Sequence, residues 1–275
     1  MTDGNRERRT RREAVISTPE RRSIVVDRVR PGLVRVGPPL ATLACVLALW
    51  QGATVVYDVP TVILPSPIDV GAALVEGYPT LLADAAVTAA TAALGLGGGA
   101  AVGLVLAFAM TRSRSAARTI LPYVVALRIA PLIAVAPLLF LWFGRGIPAR
   151  ALLVATLTLF PMTIATLDGL RSTPSAFLDL AASVGASSLE TFLRVRVPAA
   201  APSVFAGLKI AATLAVVGAV VAEFVTLRSG IGYRVFYSAT RLETATSYAA
   251  LAVLSLVGVG FYLLPALLER RIWTT

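Results

Sequence analysis

Two groups of residues in this 275-residue chain could do chemistry. The first is a pair of ionisable side chains, Arg128 and Glu223, set deep in long apolar runs. A charge at the centre of a bilayer costs at least about 2.5–3.5 kcal/mol on the lenient insertion scale, so each must face protein or a water-filled cavity. One reading puts Arg128 beside an anion path and Glu223 near a gate. The other makes them structural pins, paired with each other or with backbone, and Arg128 is close enough to the end of its run to snorkel. Pro131 and Pro137 free backbone carbonyls in the run that holds Arg128, which is tolerated where a helix lines a cavity or packs on neighbours. That run is the first choice for lining a path.

The second group is the segment from Arg171 to Pro202, long and amphipathic between two apolar runs. Thr173 can cap a helix with Pro174 at its first position. Phe177, Leu180, Ala181 and Val184 then recur at helical spacing, Gly185 allows a sharp reversal, and a second short helix over 188–195 sets Leu189, Phe192 and Val195 on one face. Two short helices joined at a glycine have apolar faces that need a partner, so their chemistry is docking. The bland alternative is an amphipathic segment lying on the membrane surface.

Much other chemistry is excluded. The sequence has no His, which removes Ser-His-Asp and Cys-His catalysis and His-ligated metals. Cys45 is the only cysteine, so there is no internal disulfide and no CxxC site. Asp168 and Asp179 stand apart with Pro174 between them, and no second acidic cluster supports a membrane-embedded enzyme. No G-x-x-x-x-G-K-[ST] phosphate loop is present, so no catalytic residue, metal or cofactor is assigned to the chain. Aromatics, at 7%, are too few for a stacking surface along nucleic acid. Gly95-Leu96-Gly97 follows no strand, and Gly95, Gly99 and Gly103 instead form a helix face that admits a close neighbour, in the bundle or in a dimer.

The elements that must position these groups are transmembrane helices. Apolar residues make up 57% of the chain, charged residues 15%, and mean hydropathy is +0.79; a soluble domain has roughly 25% charged residues. The fold class is all-α and polytopic, with about six transmembrane helices near 36–56, 85–110, 120–143, 149–167, 204–227 and 248–268, each close to the ~20 residues a bilayer requires. Residues 58–77, with Pro60, Pro65 and Pro67, read as a loop. Residues 1–30 read as a basic, disordered cytoplasmic tail in contact with anionic lipid, ahead of a membrane domain over 31–275. With the N-terminus inside, 19 Lys and Arg fall on the inner side and five outside, which sets both termini in the cytoplasm.

Asp179-Leu180-Ala181-Ala182-Ser183-Val184-Gly185, with Val195-Arg196-Val197-Pro198, resembles the EAA loop of ABC importer permeases. Asp179 stands for the Glu, Ala181 for the second Ala, Gly185 for the Gly, Val195 for the Ile, Val197 for the Leu and Pro198 for the Pro. The spacing has no gaps; the departures are Asp for Glu, Leu180 for the first Ala, and Val for Ile and Leu. Arg128-Ile129-Ala130-Pro131, Leu141-Trp142-Phe143-Gly144, Val221-Ala222-Glu223-Phe224 and Leu64-Pro65-Ser66-Pro67 look like the subgroup that carries sulfonates, taurine, nitrate and similar small solutes. The resemblance implies a type I importer permease in a bacterial or archaeal cell membrane, working as a homodimer with two cytoplasmic ATPases and an extracytoplasmic solute-binding protein. It implies that the loop couples to the ATPase, which binds the ATP, and that this chain is a transport subunit and no enzyme. The rival readings are a secondary transporter, which would show mid-membrane charge relays or an internal repeat, and a membrane scaffold.

Overall fold

The computed structural model describes residues 31–273. The basic segment 1–30 lies outside the described residues. Apart from short turns, the described residues are helical, and there is no strand among them. Two compact units divide after Ala48. The first contains the beginning of α1 (Pro31–Val56), where Thr42 donates to the Pro38 carbonyl at 3.0 Å.

The second unit, from Leu49 onward, holds the bundle. α2 (Pro67–Arg112) is 46 residues long, so at 1.5 Å per residue it extends about 69 Å, over twice the bilayer's hydrocarbon thickness. It starts well before the expected 85, and residues 67–77 are helix rather than loop. Pro67 sits at the first helical position, where its missing N–H is no loss. Ser66 and Asp69 close a reciprocal capping box, with Ser66 N donating to Asp69 at 3.0 Å and Asp69 N to the Ser66 hydroxyl at 3.2 Å.

α3 (Arg114–Ile129) and α4 (Leu132–Phe143) occupy the expected third span but bend by 98° between them. Of its three prolines only Pro131 breaks the chain; Pro122 and Pro137 lie inside helices. Ala130, ahead of Pro131, is held in an extended conformation (φ −55°, ψ 133°), as the proline ring requires of its predecessor. The remaining elements are α5 (Ile147–Arg171), α6 (Ser175–Ser183), α7 (Ser188–Thr191), α8 (Val197–Thr226), α9 (Ile231–Thr240) and α10 (Thr244–Trp273). Among the described residues five helices are long and apolar enough to cross a membrane, and the bent α3–α4 pair makes a sixth if counted as one span.

α5 is the centre of the bundle, held between α2 and α8 by residues with almost no side chain. A Cβ on Gly95 would overlap Val154, one on Gly99 would overlap the Thr158 hydroxyl, and one on Gly103 would lie 2.9 Å from Met162 Cβ. The Thr158 hydroxyl lies 3.3 Å from the Gly95 carbonyl across this contact and 3.2 Å from the Val154 and Ala155 carbonyls of its own helix, so its one proton is shared among them. The glycine face therefore serves the bundle. On the other side of α5, a Cβ on Gly169 would sit 2.7 Å from Ser203 Cβ, and one on Gly218 2.8 Å from Leu157 Cδ1. α10 packs beside these helices through Leu254 and Val257 against Ala92 and Ala215, and an ion pair between Lys209 and Glu269 ties it to α8.

Two neighbouring glycines give a paired test. Gly99→Ala inserts a methyl between α2 and α5 and should lower stability by about 1–3 kcal/mol, the usual range for overpacking. Gly97 faces open space, so Gly97→Ala should leave thermal unfolding in detergent unchanged or raise it slightly through helix propensity. Equal melting temperatures for the two variants would refute the packing assignment.

Candidate functional site

The bundle has two ends. At one, α5 finishes at Arg171, α8 begins, and Phe108 of α2 meets Phe192 edge-on at 5.6 Å. At the other, Arg150 of α5 and Asp84 of α2 reach the turn around Gly230. They are named here the Arg171 end and the Gly230 end.

At the Arg171 end, α6 and α7 form a helical hairpin. Thr173 does not cap α6 as expected. Its hydroxyl is buried and donates back to the Leu170 carbonyl at 3.4 Å, so it closes α5, and Pro174 takes the N-cap position without a side-chain bond. α6 ends in a Schellman turn: Gly185 N donates to the Ala182 carbonyl and Ala186 N to the Ala181 carbonyl, both at 3.0 Å. Gly185 has φ +73°, and nothing lies within 4 Å of where its Cβ would be. The glycine is required by backbone handedness alone. α7 opens on a capping box in which Ser187 N donates to Glu190 at 3.0 Å and Glu190 N to the Ser187 hydroxyl at 3.3 Å. The expected helix over 188–195 starts on register, then widens into a π turn from Phe192 to Arg196, next to Pro198, which has no N–H to donate to Arg194.

Within this hairpin Ala181 is buried, Val195 and Val197 are half-buried, and Asp179, Gly185 and Pro198 are exposed. Phe177, Leu180 and Val184 of α6 stay 56%, 62% and 74% exposed. They line one side of a groove of about 630 Å³ whose other side is Glu190, Thr191, Arg194 and Val195. Burying such a row of apolar side chains is favourable at about 25 cal/mol per Å². The arrangement fits a partner surface. Among the described residues no cluster of three metal-ligating groups exists.

The Gly230 end carries charges that sequence reading found only in part. Arg128 and Glu223 form no ion pair with each other. Arg128 is exposed, its guanidinium 5.7 Å from the Phe160 ring centre, and Pro131 is exposed at the α3–α4 bend. Glu223 is completely buried and accepts from Gly232 N at 2.8 Å. Asp84 accepts from Gly230 N at 3.1 Å and from Arg234 Nε at 2.8 Å, Thr88 accepts from Ile231 N at 2.8 Å, and Arg150 donates to the Ser229 carbonyl at 3.0 Å. Asp84 was detectable by the test that singled out Glu223, a lone acid in an apolar helix. It lies one residue outside the expected span beginning at 85, whereas α2 carries it well inside a helix that begins at Pro67.

Comparison with known proteins agrees with this architecture. Residues 99–274 match the family model described as binding-protein-dependent transport system inner membrane component. A probable ABC transporter permease protein of Haemophilus influenzae is 36% identical over 88% of this chain and 99% of its own length. A riboflavin transport system permease of Chloroflexus aurantiacus is 34% identical, covering 83% of this chain and 86% of its own. A putative aliphatic sulfonates transport permease of Escherichia coli is 33% identical, covering 88% and 92%. A solved amino acid ABC transporter crystallised with histidines shares the fold at TM-score 0.60, with 17% identity over 72% of this chain and 96% of that one. With the helix bundle and the projecting hairpin, these matches mean that the chain belongs to the inner-membrane components of binding-protein-dependent transport systems and is an ABC importer permease, a transport subunit whose ATPase is a separate chain.

Proposed function

We propose that the α6–α7 hairpin is the coupling element of the transporter, seating in a groove of a cytoplasmic ABC ATPase through Phe177, Leu180 and Val184. The observation that carries this reading is the row of exposed apolar side chains on a hairpin fixed by the Gly185 turn. In this reading Asp179, Ala181, Gly185, Val195, Val197 and Pro198 hold the hairpin's shape and contacts. Closure of two ATPases on ATP is passed to a homodimer of this chain, and the ATP stays on the ATPases. The Arg171 end is then cytoplasmic. In support, the Lys and Arg excess falls on that side and the loop around 58–66 has no basic residue. Both termini accordingly face the cytoplasm, and an extracytoplasmic binding protein delivers solute at the Gly230 end.

The substrate proposed is a small organic or inorganic solute of the sulfonate, taurine or nitrate kind. In support, one relative is named for aliphatic sulfonates, while another is named for riboflavin, a larger solute outside that class. Arg128, exposed on the bent α3–α4 pair, is the side chain proposed to meet an anionic solute.

Gly185→Val forces a β-branched residue into a left-handed conformation, so it should cut transport at least tenfold while ATP hydrolysis and membrane insertion persist. Transport at the parental rate in this variant would count against the coupling role. Leu180→Glu should abolish co-purification of a Walker-type ATPase from mild detergent without changing the melting temperature of the isolated chain, because Leu180 is already exposed there. An ATPase that still co-elutes with Leu180→Glu would move the contact elsewhere.

A further inference from the structure

α9 is a ten-residue helix at the Gly230 end, and its N-terminus has no cap of its own. The residue at the N-cap position is Gly230, which has no side chain to offer. Three successive backbone N–H groups, of Gly230, Ile231 and Gly232, are orphan donors of the kind every helix start presents. They are taken by Asp84 Oδ1 at 3.1 Å, Thr88 Oγ1 at 2.8 Å and Glu223 Oε2 at 2.8 Å. Two of the acceptors belong to α2, some 140 residues away, and the third to α8. Asp84, paired with Arg234, places a carboxylate at the positive end of the helix, and Glu223 supplies a second, fully buried acceptor.

The geometry leaves no slack. A Cβ on Gly230 would run into the Glu223 carboxyl, and one on Gly232 would lie 2.9 Å from Glu223 Oε2. Asp84 also pairs with Arg234 one turn into α9, at 2.8 Å. Arg150 of α5 holds the preceding turn through the Ser229 carbonyl and hydroxyl, at 3.0 and 3.2 Å. The chain on either side of α9 passes through left-handed residues: Leu227 (φ +49°) and Gly230 (φ +109°) before it, and Leu242 (φ +62°) after it.

We infer that the N-cap borrowed from Asp84, Thr88 and Glu223 is what seats α9 at the Gly230 end, so that losing the cap loosens α9 while the helices around it stay packed. The three side chains act as positioning residues for α9. The inference does not rest on the coupling assignment, since its readout is local accessibility.

Ser238, on the buried face of α9 and 1% exposed, reports the seat; Thr166, fully buried in α5 toward the Arg171 end, reports the bundle. In a Cys45→Ser background, Ser238→Cys and Thr166→Cys chains in detergent would each be reacted with a polar maleimide. Asp84→Ala and Glu223→Ala should raise the labelling rate at position 238 at least tenfold and leave position 166 protected. Thr88→Val, which removes one acceptor without changing volume, should give a smaller rise. Glu223→Gln, which keeps the acceptor for Gly232, should label close to the parent. Protection at 238 in both alanine variants would overturn the inference, because the cap would not be what seats α9. Labelling at both positions would overturn it too, because the residues would then hold the whole bundle rather than α9.

Discussion

The close approach of α2 and α8 to α5 is the contact on which the rest of the structure depends. Lipid tails are as apolar as leucine, so helices in a bilayer gain little from hiding apolar surface and must associate through dispersion contacts and a few hydrogen bonds. Those contacts accumulate only when backbones come near each other. Gly95, Gly99 and Gly103 on one side, and Gly169, Gly207 and Gly218 on the other, remove the side chains that would keep them apart. Thr158 shares its hydroxyl proton between carbonyls of its own helix and one of the neighbouring helix, which would be out of range at ordinary interhelical spacing.

A central helix held this firmly has consequences at both of its ends. In its first turn Arg150 reaches the turn before α9, and at its last turn Thr173 folds back on the Leu170 carbonyl to set the exit angle of the hairpin. The two regions of interest, the projecting α6–α7 hairpin and the capped α9, are thus mounted on opposite ends of one rigid rod. The bent α3–α4 pair is built differently. It buries Val124, Ala136 and Phe140 but leaves Tyr123, Ile129, Leu141 and Trp142 largely uncovered.

What could be read from the sequence was what is local. The hairpin was legible because its signals, a glycine reversal between two apolar stripes with prolines at the edges, all lie within some thirty residues. Gly99 was legible as a packing face because the four-residue repeat is itself the geometry, although which helix it packs on was not. The start of α2 is ambiguous in the sequence because Pro67 is a breaker in one context and a first-turn residue in another; the Ser66–Asp69 box decides between them. The borrowed cap could not be read at all. Asp84 and Gly230 are 146 residues apart, and no property of either residue names the other. Glu223 was noticed as a charge in the wrong solvent, but its partner is a backbone N–H, which carries no sequence signature. Arg128 was noticed on the same ground and turns out to lie at the surface of the described chain, over an aromatic ring.

The glycines of this chain answer to two different constraints. At Gly99 the limit is volume: the space a methyl would need is already filled by Thr158, and no side chain of either hand or any polarity relieves that. At Gly185 the space is empty and the limit is the sign of a torsion angle. Asparagine, which tolerates the left-handed region through its short polar side chain, is therefore an acceptable replacement at the hairpin and an unacceptable one in the bundle. Among relatives of this protein, an asparagine at the first position would mark a turn still intact. Any residue but glycine at the second would mark a helix pair that has moved apart.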